Sequence, residues 1–203
     1  MREKIKIKKK GKANIELKKR NRELKNKIKL QEKEIKKQTR LANFDYLTQV
    51  SNRASFTRSL EDMIFDFKNK DYPFILLYID LDNFKRINDK YTHAEGDKVL
   101  LRVAQQLVLD NRAQTLIGRL GGEEFGIVLP GANREEGNAA ANRLLESIRN
   151  IRFNIKDIKM TASIGMYSPN KEDTLEDIVY FADKAMYFSK NNGKDKLTDY
   201  KDI

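Results

Sequence analysis

Two adjacent glycines, Gly121 and Gly122, constrain the fold of this chain more than any other feature of its sequence. They lie between two β-prone apolar segments and are followed at once by two carboxylates, Glu123 and Glu124. A Gly-Gly pair supplies the positive φ angles that a tight hairpin turn needs. The sequence therefore predicts a β-hairpin with both carboxylates at its tip. Such a tip is either a solvated acidic turn or, because Mg²⁺ prefers oxygen ligands, part of a divalent cation site.

The positive charge of the chain is concentrated near its amino terminus. The formal net charge is +11 for 203 residues, but residues 1–40 hold 18 Lys and Arg against 5 Asp and Glu. The other 163 residues carry 23 basic and 25 acidic groups and are nearly neutral. A basic segment of this kind can contact nucleic acid or an anionic membrane surface. We favour the plainer interpretation, the solvated surface of a helix, which is the commoner role of such a run.

The composition excludes several classes of protein. The chain has no cysteine, which excludes disulfides, thiolate metal sites and a cysteine nucleophile. No apolar run approaches the roughly 20 residues of a membrane span. The first ten residues are highly charged and lack the apolar segment of a secretory signal. We therefore expect a cytoplasmic protein without a transmembrane span.

The amino-terminal region has the pattern of a helix that pairs with a second copy. Residues 13–43 contain neither Pro nor Gly and favour helix. A heptad register assigns Asn21, Ile28, Ile35 and Ala42 to a positions and Leu17, Leu24, Gln31 and Gln38 to d positions. Ile at a with Leu at d favours a parallel dimer, although the two glutamines weaken the seam. We expect a basic coiled-coil helix over residues 1–42 that dimerises, and one globular domain over residues 43–203.

The apolar periodicity of residues 43–203 predicts an alternation of strands and helices. After an opening helix at 52–68, strands are predicted at 74–79, on both arms of the glycine hairpin, at 159–167 and at 196–200. Helices are predicted at 83–90, 95–110, 134–150 and 175–191. The order β-α-α-β-β-α-β-α-β indicates an α/β fold, an α+β sandwich of the split βαβ type with helices packed on a central sheet.

The first buried strand ends in a second group of acidic residues, Asp80 and Asp82. Because α/β sheets bind ligands at the carboxyl ends of their strands, Asp80 would join the hairpin carboxylates around Mg²⁺. A helix that opens at Asn83 offers free backbone N–H groups to a phosphate chain, with Lys85 close by. For Asp82 we favour the commoner role of helix capping.

Two polar residues further along are suited to a guanine base. A carboxylate accepts both N–H donors of the guanine edge, and an amide can meet the acceptor edge. Asp97 and Asn88 provide these two groups. Alternatively, Gly96 and Asp97 form an ordinary helix N-cap, and His93 is a loop or structural residue.

Six segments in this order resemble the signatures of the GGDEF domain family. They are Asp45–Phe56, Asp80–Lys85, Ile87–Asp89, Gly121–Phe125, Thr161–Gly165 and Asp183–Tyr187. The resemblance covers about residues 43–200 and implies a palm-like sheet of the nucleotidyl cyclase type. It implies a diguanylate cyclase, which condenses two GTP into cyclic di-GMP and two pyrophosphates. The implied cofactor is Mg²⁺, with Mn²⁺ as an alternative metal.

The resemblance also implies roles for individual residues. Asp80, the carbonyl of Leu81 and Glu123 would bind the metal, with Glu124 as a further ligand or a helper at the 3′-hydroxyl. Glu123 would accept the proton of that hydroxyl. The substrate contacts would be Asn88, His93 and Asp97 on the guanine side and Asn83, Phe84, Lys85, Lys190 and Lys194 on the phosphate side. Since relaxed members carry serine at the position of Asp97, the aspartate favours GTP.

The reaction requires two half-sites that face each other, so the resemblance implies a homodimer. A coiled coil would raise the effective concentration of the two domains to about millimolar. One alternative is a catalytically inactive GGDEF domain that serves as a GTP or cyclic di-GMP receptor or as a scaffold. Another is nucleic-acid binding through the basic segment. The small number of arginines before the heptads argues against it.

The sequence departs from the family pattern at several positions. Thr115 replaces the aspartate of an Arg-x-x-Asp motif that begins at Arg112, so we expect weak inhibition by the product. Gln49 and Thr92 replace glycines, and we expect strained backbone angles at both positions. We therefore expect the enzyme to have a low turnover. Lys194 replaces an arginine, which keeps the charge and loses the forked geometry.

Overall fold

The computed structural model describes the backbone of residues 2–155 and 157–203 and the side chains of residues 19–155 and 157–203. The chain divides into two compact units, Met1–Ala42 and Asn43–Ile203. The first unit is helical and belongs to α1, Arg2–Asn43. Every side chain from Lys19 to Ala42 is exposed, including the apolar Leu24, Ile28 and Ile35 of the heptad register. Leu17 lies outside the described side chains, and the coiled coil stays a prediction.

A mixed sheet forms the centre of the second unit, as the sequence predicts. In the described residues its strands are β1 (Ser51–Asn52), β2 (Phe74–Leu81), β3 (Leu116–Arg119), β4 (Glu124–Pro130), β5 (Ala162–Tyr167) and β6 (Lys196–Asp199). The spatial order is β1-β3-β4-β2-β5-β6. Strand β2 is antiparallel to both neighbours, β4 and β5, while the outer pairs β1–β3 and β5–β6 are parallel.

Helices cover both faces of this sheet. They are α2 (Arg53–Lys70), α3 (Phe84–Lys90), α4 (His93–Asp110), α5 (Arg134–Arg149) and α6 (Leu175–Asn191), and a 3₁₀ turn follows at Tyr200–Asp202. Helices α3, α4 and α5 pack on one face and α2 and α6 on the other. The predicted α/β sandwich is confirmed, with helix and strand bounds close to those expected. The two-residue β1 was not predicted.

The central strand β2 shows why the layers form. All eight of its residues are buried, because side chains that alternate along a strand face two separate helical layers. Ile75, Leu77 and Ile79 face α4 and α5, while Leu76 and Tyr78 face α2 and α6. Burial of each apolar side chain of this kind stabilises the folded state by roughly 1.5–3 kcal/mol. Asp80 continues the second series and therefore lies on the α2 and α6 face.

In the described part of the chain, none of the helices combines the length and the apolar composition that a bilayer crossing needs.

Candidate active site

The β3–β4 hairpin brings its carboxylates to the end of β2. Asp80 on β2 lies directly opposite Glu124 on β4 in the antiparallel register. The backbone N–H of Leu81 donates to the carbonyl of Glu123 over 3.3 Å. Side chains opposite each other in such a ladder lie on the same face. The carboxylates of Asp80 and Glu124 therefore lie on one face of the sheet, and the backbone of Glu123, the residue before β4, is paired with the end of β2.

The glycines of the hairpin do not have the backbone angles that we expected. Among the described residues, the glycines with positive φ are Gly131 at 71° and Gly193 at 109°, and neither hairpin glycine belongs to this set. The prediction was wrong: what distinguishes Gly121 is the close approach of a neighbouring side chain and not a positive φ. A Cβ atom there would lie 2.2 Å from Oε2 of Glu124, whereas one at Gly122 would meet open space.

Arg119 connects this turn to the beginning of the globular unit. Its Nη1 donates to Oδ1 of Asp45 over 3.1 Å, and its Nη2 donates to the carbonyl of Gly122 over 2.7 Å. Asp45 also accepts from the backbone and the hydroxyl of Thr48 at 2.8 and 2.6 Å. Burial opposes the charge of Asp45, but the hydrogen bonds from Thr48 and Arg119 outweigh it and lower its pKa. Sequence reasoning did not find this link.

Burial and the neighbouring acidic side chains make negative charge at this site unfavourable. Burial, and then repulsion from Asp80, raises the pKa of both Glu123 and Glu124. Burial also raises the pKa of Asp80, although Lys190 acts in the opposite direction. Nζ of Lys190 donates to Oδ2 of Asp80 over 2.8 Å. The other oxygen of Asp80 is buried and has no hydrogen-bond partner among the described residues.

A buried oxygen without a partner, next to two carboxylates that repel it, fits a divalent cation. Within the described residues, no three His, Cys, Asp or Glu side chains are arranged so that they could hold a metal ion together. Mg²⁺ does not require such a group, because it keeps several waters and is usually bound by one or two carboxylates plus substrate phosphates. The donors at this edge therefore suit Mg²⁺ that arrives with a phosphate chain.

The expected phosphate contacts surround Asn83. This residue precedes α3 with φ of 58° and makes no side-chain cap hydrogen bond. Its Oδ1 accepts from Nζ of Lys194 over 2.6 Å. Lys85 is exposed, whereas the side chain of Phe84 is buried in the core, so that only the backbone of Phe84 could contact substrate.

Asp82 is not the helix cap that we favoured. Its carboxylate accepts from the hydroxyls of Thr161 and Ser163, each at 2.7 Å, and from the backbone N–H of Asp195 at 3.0 Å. These partners lie 79, 81 and 113 residues away in the chain. Asp82 is buried and joins β2 and β5 to the loop that carries Lys194.

The expected guanine contacts lie at the start of α4 and on α3. His93 and Asp97 are exposed, while Asn88 is half-buried with its Oδ1 only 1.9 Å from where a Cβ on Gly96 would lie. Helix α4 begins at His93 with Thr92 as its N-cap, so the alternative cap at Gly96 and Asp97 was wrong.

Of the two expected strain positions, the structure shows one. Gln49 has φ of 61°, and its side-chain amide donates to the carbonyl of Tyr46 over 2.7 Å. Thr92 has φ of 170°, which is extended backbone, so the strain expected there was wrong. Its hydroxyl accepts from the N–H of Glu95 over 3.3 Å.

A comparison with protein families decides the identity of this fold. The family model described as "Diguanylate cyclase, GGDEF domain" matches residues 42–196. The chain belongs to the GGDEF domain family. It is 33% identical over 163 residues to the probable diguanylate cyclase DgcE of Escherichia coli (strain K12), covering 78% of this chain and 15% of that protein. It spans 15%, 23% and 45% of the lengths of the first three curated relatives it matches.

Solved structures agree with the GGDEF fold. The coiled coil and GGDEF domain of DgcB from Caulobacter crescentus, in complex with c-di-GMP, matches with a TM-score of 0.84 at 21% identity, over 90% of this chain and 98% of that one. At this identity the likeness shows the fold alone. The active GGEEF domain of a diguanylate cyclase from Vibrio cholerae matches with a TM-score of 0.71 at 29% identity, over 75% and 98% of the two chains.

The departure at Thr115 lies in a cavity of the GGDEF domain between β4 and α5. Arg112 and Thr115 line this cavity of about 260 Å³ together with Arg143. The lining therefore carries two guanidinium groups and the carboxylate of Glu136, but a neutral threonine at position 115. Weak product inhibition through Arg112 stays a prediction.

Proposed function

We propose that this GGDEF domain is an active diguanylate cyclase that joins two GTP into cyclic di-GMP and releases two pyrophosphates. The observation that carries the proposal is the buried oxygen of Asp80 that has no hydrogen-bond partner among the described residues, at the strand end where Glu124 lies opposite Asp80 and Glu123 pairs with Leu81. A receptor or scaffold would not need three mutually repelling carboxylates at this edge. Their repulsion is relieved by a divalent cation with its substrate, which favours catalysis over the inactive alternative.

In this proposal Asp80, the Leu81 carbonyl and Glu123 hold Mg²⁺, which Mn²⁺ can replace. Glu124 is a further ligand or a helper at the 3′-hydroxyl. The bound metal polarises the phosphates and neutralises their charge. Glu123 accepts the proton of the 3′-hydroxyl, whose oxygen attacks the α-phosphorus of the other GTP while pyrophosphate leaves.

The remaining predicted residues orient the substrate. Lys85, Lys190, Lys194 and the backbone at Asn83 and Phe84 hold the triphosphate, and Asn88, His93 and Asp97 hold the guanine. Positioning of this kind supplies much of the acceleration in phosphoryl transfer.

Two domains must face each other for both bonds to form, so the active species is a homodimer joined through α1. The exposed Leu24, Ile28 and Ile35 support this assembly because they lie on one seam of the helix. We place the reaction in the cytoplasm, where GTP is available. We do not assign the basic residues 1–12 to nucleic acid or membrane binding.

Incubation of the full chain with GTP and Mg²⁺, followed by chromatography, tests the proposal. The wild type and the exposed control Glu135→Ala should form cyclic di-GMP and pyrophosphate, while Glu123→Ala should not. Chelation with EDTA should stop the reaction, and Mn²⁺ should restore it. GTP binding without product would favour the receptor alternative, and product from Glu123→Ala at the wild-type rate would overturn the role of Glu123.

A further inference from the structure

The loop between α6 and β6 is held in an unfavourable backbone conformation. Gly193, Lys194 and Asp195 follow one another with φ of 109°, 62° and 49°. Left-handed backbone is costly for residues with a Cβ atom, and such residues persist only where their surroundings hold them. The contacts that hold this loop therefore decide where the side chain of Lys194 points.

Asp195 is held from the far end of α5 by Arg149. Nε of Arg149 donates to Oδ1 and Oδ2 of Asp195 over 2.8 and 2.9 Å, and its Nη2 donates to the Asp195 carbonyl over 3.1 Å. The planar guanidinium thus engages both the side chain and the backbone of one residue. Such multiple contacts fix orientation better than a single ion pair does.

Two further contacts fix the same loop from the core. The N–H of Asp195 donates to the buried carboxylate of Asp82 over 3.0 Å. The N–H of Lys194 donates to the carbonyl of Ser189 over 3.0 Å. Residues 194 and 195 are thereby connected to α5, α6 and the end of β2, while Nζ of Lys194 reaches Oδ1 of Asn83 over 2.6 Å.

We propose that Arg149 is a positioning residue for the triphosphate: it locks the strained loop so that the Lys194 ammonium is already placed beside Asn83 before substrate binds. This inference rests on the proposed function, since it assigns Lys194 to the phosphates of GTP. A preset cation avoids the entropy of ordering a long side chain during binding. Arg149 itself touches neither substrate nor metal in this arrangement.

The test uses the full chain and measures two quantities. One is the KM and kcat for GTP, and the other is the Kd for magnesium tripolyphosphate by calorimetry, a probe that lacks the base. Arg149→Gln should raise both KM and Kd about two- to fivefold, the range of a partly exposed ion pair, with kcat nearly unchanged. Asp195→Asn, which tolerates left-handed backbone, should act in the same direction. Glu146→Gln removes the other partner of Arg149 and should leave both constants at the wild-type values.

A double-mutant cycle separates positioning from general destabilisation. In a Lys194→Ala background, Arg149→Gln should have no further effect on the Kd for magnesium tripolyphosphate. The inference would be overturned if Arg149→Gln raised this Kd equally in both backgrounds. It would also be overturned if the wild type were active and Arg149→Gln alone left the Kd unchanged. A wild type that makes no cyclic di-GMP would instead contradict the proposed function, while the calorimetric comparison would still decide whether Arg149 places Lys194.

Discussion

The hairpin glycines differ in what surrounds each α-carbon, and this difference can be tested. At Gly121 a Cβ would meet Oε2 of Glu124 at 2.2 Å, while at Gly122 it would meet nothing within 4 Å. Since a carboxylate at the end of a flexible side chain can move away, Gly121→Ala should cost less than about 1 kcal/mol in stability. It should nevertheless reduce turnover at least tenfold, because Glu124 loses its place.

Gly122→Ala is the matched control for the stability of Gly121→Ala, and both should melt near the wild-type temperature. Thermal melts and initial rates with saturating GTP measure the two effects. Wild-type turnover in Gly121→Ala would show that the position of Glu124 is unimportant.

A second prediction at this scale concerns the charge of Glu124. Burial and the neighbouring Asp80 and Asp183 raise its pKa above the usual 4.5. A raised pKa means that the folded state binds the proton more tightly, so stability falls as the pH rises through the interval above 4.5. At neutral pH and without divalent cations, Glu124→Gln should therefore melt about 1–3 °C higher than the wild type.

The excess stability of Glu124→Gln should vanish below about pH 4, where the wild-type glutamate is itself neutral. Addition of Mg²⁺ with GTP should stabilise the wild type more than the variant. Glu135→Gln, at an exposed position on α5, controls for the loss of one negative charge. A destabilised Glu124→Gln at neutral pH would contradict the electrostatic argument.

Thr115 provides a third prediction. The cavity of Arg112 and Arg143 offers cations but no carboxylate at position 115. Added cyclic di-GMP should therefore inhibit the wild type weakly, and Thr115→Asp should strengthen inhibition about tenfold if the new carboxylate gains a charged hydrogen bond. Initial rates against cyclic di-GMP concentration measure this. Strong inhibition of the wild type that Arg112→Ala abolishes would show that the motif functions without its aspartate.

At the scale of secondary structure, the turn at Asp45 is joined to the β3–β4 hairpin by the ion pair of Asp45 with Arg119. The pKa of Asp45 lies below its usual value of 3.8. A lowered pKa stabilises the fold above the unfolded pKa, and this contribution is lost as the pH falls through the folded value. Asp45→Asn should thus lose about 1 kcal/mol at neutral pH and show a flatter loss of stability on acidification below 3.8.

Denaturant titrations at several pH values compare the wild type with Asp45→Asn. Asp66→Asn, whose exposed pair with Lys70 lies within α2, is the control and should remain close to the wild type. Parallel acid profiles for the wild type and Asp45→Asn would exclude the link as a source of stability.

The predictable part of this fold is its local part. The order of strands and helices follows from apolar periodicity, and the gathering of Asp80, Glu123 and Glu124 follows from their places at strand ends. Contacts such as those of Asp82 join residues 79 to 113 positions apart and leave no local pattern. The φ angles of the hairpin glycines also could not be predicted, because glycine adopts positive and negative φ about equally well.

At the scale of the whole molecule, the two units have complementary properties. The globular unit holds one proposed half-site, and α1 presents exposed apolar side chains along one heptad seam. An isolated half-site cannot complete a reaction between two GTP molecules. Assembly through α1 would therefore control activity at low protein concentration.

Ile28→Lys tests this assembly against a matched control on the same helix. Both side chains are exposed, Ile28 to 51% and Leu30 to 68%, but only Ile28 is at an a position of the heptad register. A lysine at the seam should weaken the dimer, because charge would be buried there, whereas Leu30→Lys should leave it intact. Specific activity of Ile28→Lys should then rise with protein concentration, while that of Leu30→Lys stays constant. Analytical ultracentrifugation should show monomer for the first variant and dimer for the second. A fully active, monomeric Ile28→Lys would mean that the two half-sites meet without α1.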